Sequence, residues 1–368
     1  MPIAPPASPV RFAPNIDTPE ADEAQVGADL NQTLHRISEI TFKDGGHALR
    51  SVHAKSHGLL QGELIVPAQD NPLLAQGLFG QPGRFPVVMR FSTIPGDLLD
   101  DAVSTPRGLA IKVFGVEGER LPGSEGQTTQ DFLMVNGPTF SAPTGKAFAS
   151  SLRLVAATTD KAEGLKKVLS AALQPIEAAL EKAGHPSALL TTLGGQPETN
   201  VLGETFYSQL PIRFGDYIAK LSVVPVSPAL AVLHGEPVNL RDHPDGLREA
   251  VVAFFAANGG EWEVRAQLCA DLEQMPIDPA DKAWSEEFSP YVAIARIIAP
   301  PQMAWSEARS AAVDDGFAFS PWHGLAAHQP LGSIMRLRKA AYEMSARFRA
   351  EHNQHPNDEP RSFTPLPE

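Results

Sequence analysis

What restricts this chain most is the order of its strand-like and helix-like runs. After an extended arm and a helix at 26–40, with Leu30, Leu34, Ile37 and Ile40 at helical spacing, strand patterns follow: Arg50–Gly58 leading into Leu60–Val66, then Phe85–Thr93, Gly108–Phe114 and Asp131–Val135. A helical interval follows, with Leu165, Val168, Leu169, Ala172 and Leu173 forming one stripe in 160–173. Pro175 opens a second short helix through about Lys182, stopped by Gly184 and Pro186. Strands return at Ile212–Phe214, Ala219–Pro225, Trp262–Cys269 and Tyr291–Ile298, interrupted by a helix at 246–257. A last helix runs from about Leu331 to Arg349. Repeated βαβ units would alternate strand and helix one by one. This order instead predicts an α+β protein: an antiparallel β-barrel or sandwich with inserted helices.

Composition narrows the function. The chain has 368 residues, enough for one large or two medium domains. Its net charge is −13, and basic runs that would recruit nucleic acid or an acidic membrane are missing. One cysteine, Cys269, excludes an internal disulfide framework and reads as a small buried hydrophobe. No apolar run reaches ~18 residues and the N-terminus does not read as a signal peptide, so the expected location is cytoplasmic. The 34 prolines are scattered, which implies ordered irregular loops. Glycine-rich and Walker-type nucleotide loops do not occur.

The last helix carries the first chemical signal. Ile334, Leu337, Ala341, Met344 and Phe348 form its apolar stripe, and a second face carries Arg338, Tyr342, Ser345 and Arg349. Arg338 and Tyr342 are one turn apart on the same side. A fixed cation favours a phenolate, and a phenolate is a hard ligand that can hold haem iron. The plainer alternative is a tyrosine packed on a helix face beside a solvated arginine. The other Arg-x-x-x-Tyr, Arg213 to Tyr217, sits among Pro211 and Gly215 and is not expected to be helical.

Two early stretches supply a second signal. His53 and His57 are four apart, but ligands at that spacing share a face only on a helix, and this segment reads as strand. His53 is either a buried base beside a cofactor or a hydrogen-bonded core histidine. Arg90 and Ser92 share a strand face. A buried Arg90 needs an anion, such as a cofactor carboxylate, and the Ser92 hydroxyl could fix the His53 tautomer.

Together, His53-Ala-Lys, Arg90-Phe-Ser-Thr, Thr105-Pro-Arg-Gly-Leu-Ala-Ile-Lys-Val-Phe114, Asp131-Phe-Leu, Trp262–Gln267, Phe319-Ser-Pro and Arg338-x-x-x-Tyr342 resemble the haem catalase family, in its order and near its spacings, over about 41–350. The resemblance implies an antiparallel eight-stranded barrel with surrounding helices and a haem b buried between the barrel and the late helix. It makes Tyr342 the iron ligand, Arg338 its ionising partner, His53 the distal histidine and Ser92 the serine bonded to it. Arg50, Arg90 and Arg349 match propionate-binding arginines. Phe140 matches a ring stacked on the haem, and Ile94 a channel residue. Arg50 and His53 have opposite strand parity, so a bend or bulge is expected between them.

The pattern departs from the family at one point. Its distal asparagine lies in an Asn-Asn-Thr-Pro segment; here the matching stretch is taken as Gly126-Gln127-Thr128-Thr129-Gln130, with Gln127 or Thr128 in the asparagine's place. With short arms at both ends, the resemblance is to the small catalase-related peroxidases. The expected organisation is an arm and short helix at 1–40, a haem-binding domain at 41–350 and a polar tail at 351–368. The expected activity is peroxidase, reducing hydrogen peroxide or organic hydroperoxides with small organic donors, with weak dismutation, in a homodimer. Alternatives are a small true catalase, a hydroperoxide-rearranging enzyme, a haem-binding sensor or a barrel that has lost its haem.

Overall fold

The computed structural model describes residues 4–156 and 195–368. The helices expected at 160–173 and 175–182 lie outside the described residues. Nine strands form one antiparallel sheet: β1 Ser56–Val66, β2 Gly83–Thr93, β3 Arg107–Phe114, β4 Thr129–Val135, β5 Phe206–Tyr207, β6 Ile212–Phe214, β7 Tyr217–Pro225, β8 Gly260–Leu268 and β9 Val292–Ala299. Their order is β5-β4-β3-β2-β1-β9-β8-β7-β6, and β5 also pairs with β7. That extra pairing closes eight strands into a barrel and leaves β6 as a hairpin arm on β7. Closure leaves no bare edge among the eight.

Period-two alternation explains what faces where. On β2, Val87, Met89 and Phe91 point into the barrel core, as do Leu109, Ile111 and Val113 on β3. Trp262, Val264 and Ala266 fill it from β8. The intervening residues face outward. Three rungs run across β2, β3 and β4: Ser92–Gly108–Val135, Arg90–Ala110–Leu133 and Val88–Lys112–Asp131. These outward rungs carry most of the chemistry described below.

Helices cover that outer face. They are α1 Glu23–Gly45, α2 Gly145–Ala156 and α4 Ser333–Asn353; α3, Gly246–Phe255, packs against β1. Leu30, Leu34 and Ile37 of α1 meet Leu337 and Ala341 of α4 and Leu152 of α2 in a separate apolar cluster. The spacing read from the sequence is the one that buries. Gly46 ends α1 in the left-handed region, at φ 69°, with its N–H donating to Phe42 O. The expected strand over Arg50–Gly58 is corrected: β1 starts only at Ser56, and residues 50–55 form an irregular loop. Arg213 lies in β6 and Tyr217 in β7, on either side of the hairpin turn at 215–216.

Candidate active site

A cavity of about 950 Å³ lies between the outer face of β2–β4 and the helices α1, α2 and α4. Arg50, His53, Arg90, Ser92, Ile94 and Phe140 line it from the barrel side, and Arg338, Tyr342 and Arg349 from α4. These nine expected site residues therefore share one cavity. They come from four segments up to 299 positions apart in sequence, taking Arg349 minus Arg50.

His53 occupies the irregular loop with φ 58°, a conformation that non-glycine residues seldom adopt. Its N–H donates to Ile94 O at 2.6 Å. The parity conflict between Arg50 and His53 is resolved by this left-handed residue in the loop. Ring atom Nδ1 is 3.1 Å from Ser92 Oγ. The ring lies over Gly108, whose missing Cβ would fall 2.5 Å from both Cε1 and Nδ1. Burial, with the charges of Arg90, Arg338 and Arg50, pushes the imidazole down to about 3. The ring is thus neutral at ordinary pH.

On α4, Arg338 Nη2 donates to Tyr342 Oη at 2.7 Å. The helical spacing read from the sequence places them together, since residues four apart are neighbours. Among the described residues, Tyr342 Oη has no other hydrogen-bond partner.

Three guanidiniums form a buried cationic wall. Arg90 Nε donates to Asp314 Oδ1 at 2.6 Å and Nη2 to Ala54 O at 3.0 Å. Arg50 Nη2 reaches the carbonyls of Val313, Asp314 and Phe317 at 2.9–3.1 Å. Arg349 Nη1 donates to Asp314 O at 2.5 Å. Burial and the neighbouring Arg90 push Arg349 down to about 10. Burial would raise Asp314, but Arg90 and Arg50 outweigh it and hold the carboxyl below its usual range. The Nε atoms of Arg50 and Arg349 are buried without a partner. The Asp314 carboxylate is bonded to one of the three guanidiniums, Arg90, and the other two meet backbone carbonyls, so the wall has cationic charge and N–H donors to spare. It fits a ligand that brings carboxylates, and the two propionates of haem b meet that need.

Gln127 and Thr128 require correction. Neither lines the cavity. Thr128 Oγ1 donates to Arg361 O at 2.9 Å, and Gln127 N–H to Ser124 O. They precede β4, whose far end reaches the cavity. At ~3.3 Å per strand residue, Thr128 stands roughly 25 Å from position 136. Asn136, just past β4, is the amide that lines the cavity at that end of the strand. Its Oδ1 accepts from Arg107 N–H at 2.9 Å, and its Nδ2 is buried with no partner. The signal was present in the sequence: Asn136-Gly137-Pro138 keeps the asparagine and proline spacing of Asn-Thr-Pro, one strand later than the segment chosen. Thr105 Oγ1 is a second buried, unpartnered polar atom on the cavity wall.

No family model and no curated protein matches the sequence. Solved structures do. Catalase A from Saccharomyces cerevisiae superposes with a TM-score of 0.58 at 16% identity, covering 96% of this chain and 70% of that one. A fungal catalase gives 0.58 at 17% identity, covering 96% and 68%. A bacterial catalase gives 0.59 at 16%, covering 96% and 66%. The chain thus spans about two thirds of the length of these catalases. It has the catalase fold: a closed antiparallel eight-stranded barrel with covering helices. Among the described residues, no helix is long and apolar enough to cross a membrane.

Proposed function

We propose that the protein is a haem-dependent peroxidase that reduces hydrogen peroxide or organic hydroperoxides at the expense of small organic donors. The observation that carries this is the pairing of His53 with Ser92 on one side of the cavity and Arg338 with Tyr342 on the other. Catalase-like architecture supports it. Haem b would be held by Tyr342 at its iron and by Arg50, Arg90 and Arg349 at its propionates, with Phe140 against the ring. Bound there, the group would supply the two electrons that O–O cleavage consumes and would recover them from the donor.

The chain's own residues do the rest. Arg338 donates to the Tyr342 oxygen and fixes its position on α4. With Nδ1 donating to Ser92 Oγ, His53 keeps a lone pair on Nε2. That nitrogen takes the proton from an incoming hydroperoxide and returns it to the leaving oxygen. Asn136 Nδ2 donates to a peroxide oxygen and holds it within reach of His53. Ile94, Leu99 and Val103 keep the approach apolar and exclude water.

A second reading, a small true catalase, gains from Asn136. Weak dismutation was expected because the distal asparagine was thought to be lost; with Asn136 on the cavity wall, that ground falls. Absorption spectra and two assays on the same preparation test both readings. A Soret band is expected in the parent and is lost or displaced in Tyr342→Phe. Dye oxidation exceeding oxygen release supports the peroxidase; the reverse ratio supports the catalase. A purified protein that takes up no haem overturns both.

A further inference from the structure

The cavity extends past the His53–Tyr342 gap to a wall built by 196–209 and 234–235. No hydrogen bond among the described residues joins this wall to His53, Ser92, Arg338 or Tyr342. Four of its polar side chains, Thr199, Ser208, Gln209 and His234, share one property: their donors are already used within the protein. Thr199 Oγ1 donates to Glu204 Oε1 at 2.5 Å. His234 Nδ1 donates to Gly203 O at 3.2 Å, which leaves Nε2 of the neutral ring as an acceptor. The Gln209 amide donates to Gly137 O at 3.0 Å and Thr139 O at 2.5 Å, which leaves its oxygen free. Gln209 holds that position with φ 58°, in the left-handed region. Ser208 Oγ donates to Leu210 O and accepts from Leu221 N–H.

What remains is a set of acceptors: Glu204 Oε2, His234 Nε2 and Gln209 Oε1. Glu204 is a half-buried carboxylate with no lysine, arginine or histidine in ion-pair range among the described residues. Arg107 senses its charge from further away, but its own guanidinium is bonded to Thr105 O, Ser104 Oγ and Pro197 O. A wall of acceptors with one negative charge selects a ligand bearing N–H or O–H groups. Leu99, Val103 and Pro138 on the same cavity select an apolar body.

We infer that the Glu204–His234–Gln209 wall binds the reducing substrate, an aromatic amine or phenol. This rests on the peroxidase reading and names its donor class. Each donor molecule gives up one electron and one proton, breaking one N–H or O–H bond and leaving an anilinyl or phenoxyl radical. Two such molecules supply the two electrons and two protons that convert a hydroperoxide into an alcohol and water.

Titration calorimetry with 1,4-phenylenediamine on the purified protein tests the site without turnover. Glu204→Gln should weaken binding about tenfold, the scale of one hydrogen bond to a charged group. The anionic 4-aminobenzoate should bind the parent more weakly than the diamine and gain affinity in Glu204→Gln. Donor KM should rise in the same variant with little change in kcat. If Glu204→Gln does not fold by circular dichroism, His234→Phe serves, with about a fivefold loss expected. Diamine affinity within twofold of the parent in the folded variant overturns the inference. A protein that binds the diamine through Glu204 yet never oxidises it with peroxide refutes the peroxidase reading alone. One that oxidises it with affinity unchanged in Glu204→Gln refutes the site alone.

Discussion

His53 is neutral because three guanidiniums and a desolvating wall make its protonation unfavourable. With its pKa lowered to about 3, the base form persists through the whole range in which an exposed histidine would titrate. The rate of reaction with peroxide should therefore be flat from about pH 5 to 8. A limb near pH 6.5 in a stopped-flow profile would show that the ring is not held neutral. His53→Ala should keep the cofactor and slow that step by ~10²–10⁴-fold, the usual scale of acid–base catalysis. Asn136→Ala should slow it as well, whereas Gln127→Ala and Thr128→Ala should leave it unchanged. Equal losses in all three would return the amide role to the loop before β4.

At the scale of elements, three adjacent strands act as one printed surface. The rung Ser92–Gly108–Val135 holds the serine that meets His53 and the glycine beneath its ring. A methyl group at position 108 would fall 2.5 Å from the imidazole and 3.1 Å from Ser92 Oγ. Ser92 is fixed by its strand, so the imidazole, carried by the loop, must move. Gly108→Ala is expected to keep the fold, since β3 accommodates alanine, and to reduce the peroxide rate by more than tenfold; chemical-shift changes at His53 would locate the cause. The loop that carries Ile94, Leu99 and Val103 is tied down by Lys55, whose ammonium meets Leu99 O, Pro244 O and the Asp101 carboxylate at 2.5–2.8 Å. The same α4 that offers Tyr342 also binds the distal loop, through Ser345 Oγ and the Ser51 N–H at 3.2 Å.

Across the whole molecule, the C-terminal tail is sewn into the barrel. Glu359 meets Lys112 of β3, Thr129 of β4 and His323, while Lys112 also bonds both oxygens of Asp131 at 2.8 and 2.9 Å. Lys112 lies over Phe319 from one side and Arg50 lies over it as well, so the knot abuts the cavity wall. Burial opposes charge on His323, but its bonds to Asp131 and Glu359 outweigh that and raise it to about 9. Burial opposes charge on Glu359 too, and Lys112 and His323 reverse it and hold the carboxyl low. The histidine's contribution to stability is complete below about pH 6.5 and is lost as pH rises through 9. The glutamate's is complete above about pH 4.5 and is lost as pH falls. Stability should therefore peak between about pH 5 and 7. Glu359→Gln leaves Lys112 and His323 short of a counter-charge, and urea titration is expected to show a loss of about 3 kcal/mol. No loss would mean that the tail is held by Phe363 and Leu366 alone.

Local chemistry by itself determined much of this protein. The 3.6-residue period of α4 placed Arg338 against Tyr342, and the two-residue period of β2 placed Arg90 and Ser92 on one face. The order of runs excluded βαβ units. Those features depend on neighbours within seven positions, so they are legible in one dimension. The Asn136-Gly137-Pro138 spacing is in the sequence, but Gln127 and Asn136 flank the same strand, and the tertiary structure decided which end of it reaches the cavity. Only it showed that His53 leaves strand geometry, and that Glu204 and His234 join the same cavity. Barrel closure and strand register bring those residues together, and register is a property of partners that the chain meets far from itself.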